Sequence, residues 1–218
     1  GIIFKNHHAT SEWTLPSFAS IFTGKLTHNH QIFHPDLNHN VSERNKLMPE
    51  FFQNKDYITF QANGGKRSTP LYGYTKGFDR TIFKTDSDCK ELIFETIEHL
   101  NTFEKYNNFI FLGLNDIHHF IKLSPSLQTQ SILEPGFLYS ENKQHKKKSV
   151  KLDFDKGKIK VLESQMSYLD KYISILLDYL GKKKNTEIIS TIVADHGHSF
   201  LSQDNFILSD NRICVPWL

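Results

Sequence analysis

A threonine followed by an apolar, helix-like stretch forms the segment TLPSFASIFTG, residues 14–24. Pro16 suits the first position of a helix, so Thr14 is expected just before the helix begins. An apolar helical face follows, at Phe18, Ile21 and Phe22. The free N–H groups and partial positive charge of a helix N-terminus favour a bound anion and a hydroxyl that must lose its proton. Threonine is also common as a capping residue beside helix starts, so Thr14 is either a helix cap or a nucleophile.

A second polar group follows an apolar run near the end of the chain, in TIVADHGHSF, residues 191–200. Asp195 and His196 lie side by side where a predicted strand ends, and Gly197 frees the backbone to turn sharply. A carboxylate and an imidazole in this position suit a divalent ion such as Zn or Mn, although the same residues also occur in ordinary polar turns. His198 is either a substrate-binding residue or a loop residue in water.

A third group lies in FLGLNDIHHF, residues 111–120, where another apolar run ends in polar side chains. The side chains that carry chemistry here are Asn115, Asp116, His118 and His119. Because histidine titrates near neutral pH, one of these imidazoles can donate a proton to a leaving-group oxygen. A structural histidine after a strand is the alternative.

Alternating β-rich and helical segments predict the sheet that must position these residues. Strands are predicted at residues 2–6, 57–61, 108–114 and 187–194. Helices are predicted at about 90–104 and 162–180, the second with Gly181 as its C-cap. Strand, helix, strand alternation implies an α/β fold of three layers, with a mostly parallel central sheet covered on both faces. In such a sheet the ligand crevice forms at the carboxyl ends of the strands, where the three polar groups lie.

The composition is typical of one globular domain spanning residues 1–218. Lys and Arg (26) nearly balance Asp and Glu (24), which gives no general argument for nucleic acid as a partner. No apolar run approaches the ~20 residues of a membrane span. Residues 120–160 break the rhythm as an irregular insertion, whose lysine run is either a solvated surface or a site for an anionic ligand. The chain begins on a predicted strand and ends without a polar tail, so we expect it to be truncated at both ends.

These segments, in this order, resemble the sulfatase branch of the alkaline phosphatase superfamily. TLPSFASIFTG is similar to the stretch that carries the sulfatase nucleophile, including its Pro-Ser pair and its Thr-Gly end. The segments that resemble later family motifs are, in chain order, GYTKGFD, FLGLNDIHHF, YLDKYISILLDYL, ADHG and RICVPWL. The resemblance runs from about Phe4 to Leu218 and implies an alkaline-phosphatase-like fold.

The resemblance implies metal-dependent hydrolysis or transfer of sulfuric or phosphoric esters through a covalently modified nucleophile. It assigns Thr14 as the nucleophile and, together with Asp195 and His196, as a ligand of a divalent ion (Zn, Mn, Ca or Mg). It assigns His118 to contact with the transferred group or the leaving group, and makes Lys66 in GGKRS a substrate-binding candidate. The implied partner is an anionic ester, such as a sulfated or phosphorylated glycan or a lipid head group, in an extracytoplasmic setting.

Two departures from the sulfatase pattern favour phosphorus over sulfur. Sulfatases convert a Cys or Ser to formylglycine, and Thr14 cannot form that aldehyde because its β-carbon carries a methyl group. Phe18 stands where the signature has an arginine. A threonine at this position resembles the phosphoryl-transferring relatives, such as lipoteichoic acid synthases, phosphoethanolamine transferases and some phosphodiesterases.

A different class of function is a degenerate module that binds anionic glycans or lipid head groups without turnover. Family members begin with a strand that carries acidic metal ligands some tens of residues before the nucleophile, whereas 13 residues precede Thr14 here. Phe18 in place of arginine, and His198 in place of an acidic residue, point the same way. The upstream sequence and the metal content of the full-length protein distinguish the two functions.

Overall fold

The computed structural model describes residues 1–34, 40–41, 45–65, 67–68, 70–85, 87–119, 156–184, 186–197 and 213–218. Its helices and strands are, in chain order, α1 (Thr14–Thr23), α2 (Thr27–His30), α3 (Met48–Gln53), β1 (Ile58–Asn63), a 3-10 turn (Pro70–Tyr72), β2 (Arg80–Phe83), α4 (Cys89–Thr102), β3 (Asn108–Gly113), α5 (Asp116–His119) and α6 (Lys156–Gly181).

The described sheet has three parallel strands in the order β2-β1-β3. Two of them, β1 and β3, confirm the strands predicted at 57–61 and 108–114. Helix α4 connects β2 to β3 and covers one face, where Phe60 and Ala62 of β1 are buried against Leu92. The two strands that α4 connects are parallel and lie on either side of β1, so the chain must cross over the sheet to return to the same end.

Helix α1 covers the opposite face of the sheet. Its Leu15, Ala19 and Phe22 are fully buried, and the Phe22 ring centroid lies 4.6 Å from that of Phe111 in β3. Burial of a phenylalanine of this kind contributes about 1.5–3 kcal/mol. The sheet therefore has helices on both faces, as the predicted three-layer α/β architecture requires.

Helix α4 begins and ends close to its predicted bounds, whereas α6 ends close to its predicted end but begins six residues before its predicted start. Helix α4 begins after Asp88, whose carboxylate accepts the backbone N–H of Glu91 at 3.0 Å as an N-cap. Helix α6 begins at Lys156, inside the predicted insertion, and includes Gly181 as its last residue rather than as its C-cap. It packs against α4, where the Tyr179 hydroxyl donates to Asn101 at 2.6 Å. The rest of the predicted insertion, 120–155, lies outside the described residues.

The strands predicted at 2–6 and 187–194 are not regular strands. Both regions are joined to residues 213–218 by isolated antiparallel bridges, and residues 5–6 form a turn. The Phe4 N–H donates to the Trp217 carbonyl at 2.9 Å, and the N–H of Leu218 donates to the carbonyl of Ile192 at 2.8 Å. Apolar side chains of the second region are exposed, and Ile189 is 88% exposed. Residues 213–218 thus lie between the first segment of the chain and the segment that leads to Asp195.

Among the described helices, none has both the length and the apolar character that a membrane crossing requires.

Candidate active site

Thr14 is the first residue of helix α1, and its side chain does not cap the helix. The N-cap position is Trp13, which makes no side-chain cap hydrogen bond. The helix begins two residues before the predicted start at Pro16, since the first-turn N–H groups have no intrahelical acceptor and proline is tolerated throughout that turn. The first turn of α1 contains no acidic residue, so its positive end is not neutralised from within the helix.

The Thr14 hydroxyl contacts the imidazole of His196. Thr14 Oγ1 lies 3.1 Å from His196 Nε2, although the two residues are 182 positions apart. The other ring nitrogen, Nδ1, lies 2.7 Å from the Gly197 carbonyl oxygen. Because a carbonyl can only accept, Nδ1 carries the hydrogen and the neutral ring presents its lone pair at Nε2. The Thr14 hydroxyl therefore donates to His196.

The carboxylate of Asp195 lies close to the same imidazole nitrogen of His196. Its Oδ1 accepts the backbone N–H of His196 at 3.0 Å, and its Oδ2 lies 3.6 Å from Nε2. The side chains are 25% exposed for Asp195 and 11% for His196, so the pair is accessible from one side only.

Three side-chain atoms fit part of a divalent metal site: Thr14 Oγ1, His196 Nε2 and Asp195 Oδ2. Their spacings from Nε2, 3.1 and 3.6 Å, bracket the separation of about 3.3 Å between ligands of a tetrahedral ion with bonds near 2.0–2.1 Å. Within the described ranges, no group of three His, Cys, Asp or Glu side chains could hold a metal. A four-coordinate ion at these three atoms therefore needs a further ligand from solvent, substrate or another part of the protein.

His118 joins this cluster from the end of strand β3. It lies in the short helix α5, and its ring stands edge-on to the His196 ring with centroids 6.1 Å apart. Asp116, two residues earlier, is buried, and burial raises the pKa of its carboxyl against the opposing effect of the Cys89 N–H. Of the six residues predicted for the site, the structure thus brings four together: Thr14, His118, Asp195 and His196. Lys66 and His198 lie outside the described residues, and their roles stay predictions.

A sequence model of the sulfatase family matches residues 1–217. The chain belongs to the sulfatase family. No curated protein matches its sequence.

Solved structures share the fold of this sulfatase-family chain at low sequence identity. The C-terminal periplasmic domain of the phosphoethanolamine transferase EptC from Campylobacter jejuni is 16% identical, with a TM-score of 0.66 over 99% of this chain and 66% of that one. The lipoteichoic acid synthase LtaP from Listeria monocytogenes is 14% identical, with a TM-score of 0.55 over 89% of this chain and 47% of that one. A protein solved in complex with its substrate D-glucosamine-2-N,6-O-disulfate is 13% identical, with a TM-score of 0.71 over 100% of this chain and 63% of that one. This chain therefore spans about half to two thirds of their lengths.

Phe18 has a structural role in this sulfatase-family chain. Its ring packs between helix α1 and the sheet, within 6.2 Å, centroid to centroid, of three other aromatic rings, those of Phe22, Tyr74 and Phe111. The position that carries an arginine in the resembling sulfatase signature thus belongs to the core here, and Phe18 brings no charge to Thr14.

A second hydroxyl–imidazole pair involves α1 and was not predicted from the sequence. In this pair the imidazole donates and the hydroxyl accepts, the reverse of the Thr14–His196 pair. Ser20 Oγ lies 3.0 Å from His30 Nε2, but His30 Nδ1 accepts the backbone N–H of Ile32 at 3.0 Å. The neutral His30 ring therefore carries its hydrogen at Nε2 and donates to Ser20, which also accepts from the Thr10 hydroxyl. His30 cannot accept the Ser20 proton in this state, so of the two pairs only that of Thr14 has an imidazole lone pair facing the hydroxyl.

Proposed function

We propose that this sulfatase-family domain carries the centre of a metal-dependent hydrolase or transferase in which Thr14 attacks a phosphoryl ester. The observation that carries the proposal is the 3.1 Å contact between Thr14 Oγ1 and an imidazole lone pair at the positive end of helix α1. A nucleophilic hydroxyl needs a group that lowers its pKa or takes its proton, and an anionic ester needs positive charge nearby.

Asp195 and His196 would hold a divalent ion through Oδ2 and Nε2, and the ion would then take the Nε2 lone pair that accepts the Thr14 hydroxyl in this structure. A bound ion of this type lowers the pKa of the threonine hydroxyl and shields the negative charge of the ester. The Gly197 carbonyl fixes the His196 ring with Nε2 towards Thr14. Thr14 Oγ1 would lose its proton to solvent water and form a bond to phosphorus while the bond to the leaving oxygen breaks, and the N–H groups of the first turn of α1 would stabilise the phosphoryl oxygens. His118 donates a proton to the leaving oxygen.

The identity of the nucleophile supports phosphorus over sulfur. The β-methyl group of Thr14 excludes the formylglycine that sulfatases use, and Phe18 supplies no charge to assist a modified nucleophile. EptC and LtaP, which share the fold, are named as a phosphoethanolamine transferase and a lipoteichoic acid synthase. Their names support a phosphorylated lipid head group or glycan as the substrate class, and the periplasmic EptC domain supports an extracytoplasmic setting.

The test compares Thr14→Val with Thr14→Ser in the full-length protein, using bis(4-nitrophenyl) phosphate and 4-nitrophenyl sulfate with added divalent metal. Valine has the shape of threonine without the hydroxyl, so we expect turnover of the phosphodiester to disappear, while serine retains part of it. The matched control is Thr23→Val at the other end of the same helix, where the hydroxyl bonds only within the helix end. We expect this variant to keep full turnover.

Mass spectrometry of the quenched wild-type reaction provides a second readout. A 4-nitrophenyl phosphoryl group from bis(4-nitrophenyl) phosphate is expected on the peptide that contains Thr14, and it should be absent from Thr14→Val. Turnover retained by Thr14→Val overturns the assignment of the nucleophile. Binding of phosphate esters with no turnover by the metal-loaded wild-type protein would instead favour the degenerate binding module.

A further inference from the structure

Asp116 is the only carboxylate among the buried residues that the structure describes. It is 9% exposed and is the first residue of helix α5, two positions before His118. Burial of a carboxylate is unfavourable unless hydrogen bonds compensate for the lost water, so its contacts need a physical reason.

The contact that Asp116 makes is with the N-terminus of helix α4. Its Oδ1 accepts the backbone N–H of Cys89, the first residue of α4, at 2.9 Å. Asp88 already serves the same helix end by accepting from Glu91. Two carboxylates thus satisfy two of the N–H groups that a helix leaves unpaired, but only Asp116 connects α4 to another element.

The Asp116 carboxylate also interacts with the side chain of Cys89, so its contact with α4 includes the thiol as well as the backbone N–H. Within the described residues, Oδ2 is buried and has no hydrogen-bond partner. A group buried in this way is retained only where the surrounding structure benefits from it. Here the element that benefits is α5, because a helix of four residues has no stability of its own and depends on tertiary contacts for its position.

We propose that Asp116 is a positioning residue for His118. Its bond to Cys89 fixes α5 against the N-terminus of α4, and this holds the His118 ring edge-on to His196, with centroids 6.1 Å apart. The proposal rests on the proposed function, in which His118 protonates the leaving group. Asp116 touches neither the substrate nor the reacting atoms.

The chain offers variants that separate positioning from stability. Asp116→Ala removes the acceptor, whereas Asp116→Asn keeps an oxygen for the Cys89 N–H. Asp88→Ala is the matched control, since it removes the other carboxylate from the same helix end without touching α5. From the donor side, Cys89→Pro removes the N–H at a position where proline is favoured, and Cys89→Ala removes only the thiol.

The kinetic test compares phenyl and 4-nitrophenyl phosphodiesters with the full-length protein. Nitrophenolate leaves without a proton, whereas phenolate needs one, so loss of a positioned acid should slow the phenyl ester more, by about 10- to 100-fold. We expect this selective loss for His118→Ala, Asp116→Ala and Cys89→Pro, and no further loss when Asp116→Ala is combined with His118→Ala. Asp116→Asn, Asp88→Ala and Cys89→Ala should keep the wild-type ratio of the two esters. Equal loss for both esters in Asp116→Ala and Cys89→Pro would mean a merely structural role and would overturn the proposal.

A readout that needs no turnover separates this proposal from the proposed function. Side-chain NMR of the histidines, with the His118 signals assigned through His118→Ala, reports directly on the position of that ring. We expect the His118 signals to shift and broaden in Asp116→Ala and Cys89→Pro but to stay at their wild-type positions in Asp116→Asn and Asp88→Ala. If Asp116→Ala does not fold, Cys89→Pro decides the matter. Unchanged His118 signals in the folded variants overturn the positioning role even if the wild-type protein turns over no ester at all.

Discussion

His99 is a buried imidazole far from the candidate site in sequence, and its surroundings require the neutral form. Its ring stacks on Phe60 with centroids 4.2 Å apart, and Nδ1 lies 3.0 Å from a guanidinium nitrogen of Arg80. Because a guanidinium only donates, Nδ1 accepts, and Nε2 donates to Asn108 Oδ1 at 3.1 Å. Burial lowers the pKa of His99, the Arg80 charge lowers it further, and the bond to Asn108 opposes both.

This arrangement predicts a loss of stability in mild acid. The unfolded state takes up a proton near the ordinary pKa of 6.5, whereas folded His99 resists it, so the contribution is complete above that pH. It is lost as the pH falls through the lower pKa of the folded state. Urea unfolding between pH 8 and pH 5 should show this decline, and His99→Phe, which removes the titrating group, should flatten it. The same slope in wild type and variant would contradict the assignment.

At the level of single residues, the sequence identified which side chains carry chemistry but not which imidazole nitrogen donates and which accepts. Each of Thr14, Asp195 and His196 lies where a helix begins or a predicted strand ends, and the resemblance to the sulfatase branch assigned the three residues to one metal site. The Ser20–His30 pair was missed, and its polarity differs from that of Thr14–His196. That difference depends on two backbone atoms, the Gly197 carbonyl and the Ile32 N–H, whose positions no residue pattern reveals.

The turn before β2 is fastened to β1 through the segment that resembles the family's Gly-Phe-Asp motif. The Asp79 carboxylate accepts the backbone N–H of Thr59 at 2.8 Å and the side-chain amide of Gln53 at 2.7 Å. Gly77 has a φ of +83°, and a Cβ there would lie 2.6 Å from the backbone nitrogen of Glu50. The motif therefore has a structural function in this chain, because it joins the turn to β1 and α3.

Gly77→Ala should lower the free energy of unfolding more than a glycine substitution of equal backbone strain. Gly24 is the comparison, since its φ is +64° but a Cβ there meets nothing within 4 Å. Gly24→Ala should cost about 1 kcal/mol for the backbone conformation alone, and Gly77→Ala about 1–3 kcal/mol more because α3 must shift. If urea unfolding shows the same loss of unfolding free energy for Gly77→Ala and Gly24→Ala, then Glu50 moves away from the added methyl group at no cost.

The spacing of apolar residues predicted the helices and strands that bury apolar side chains. It did not predict the strand whose conformation depends on pairing with a neighbouring strand. Helices α4 and α6 follow from apolar residues at steps of three and four, and β1 from its buried positions. Strand β2 was not predicted, because its four residues have only two partly buried side chains and owe their conformation to pairing with β1. The start of α1 at Thr14 was missed because proline marks the first turn of a helix without fixing its first residue.

Residues 213–218 bridge the first segment of the chain to the segment that leads to Asp195. The Trp217 ring contacts Phe4 and His7, with centroids 4.9 and 4.8 Å away, and its backbone bridges to Val193, two residues before Asp195. The metal-ligand candidates therefore depend on this bridge for their position beside Thr14.

Trp217→Ala should release the bridged segments without unfolding the α/β core. We expect the backbone amides of Phe4, Ile192 and Leu218 to lose hydrogen-exchange protection while those of β1 keep it, because stability is lost locally. Phosphodiester turnover should fall with them. Leu71→Ala, at a side chain that is 80% exposed, serves as the control and should change neither. A uniform loss of protection across β1 and the bridged segments would contradict local opening.

The bridge between the two ends of the chain also sets the order of events during synthesis. Strands β1 to β3 and helix α1 are complete once residue 113 has left the ribosome, so the core around Phe22 and Phe111 is ready to fold early. Thr14 meets His196 only after residues 213–218 have emerged. At about 5–20 residues per second, translation of the roughly 100 residues that separate these two stages lasts about 5–20 seconds. During this interval the segment that leads to Asp195 and His196 lacks its bridge to residues 213–218.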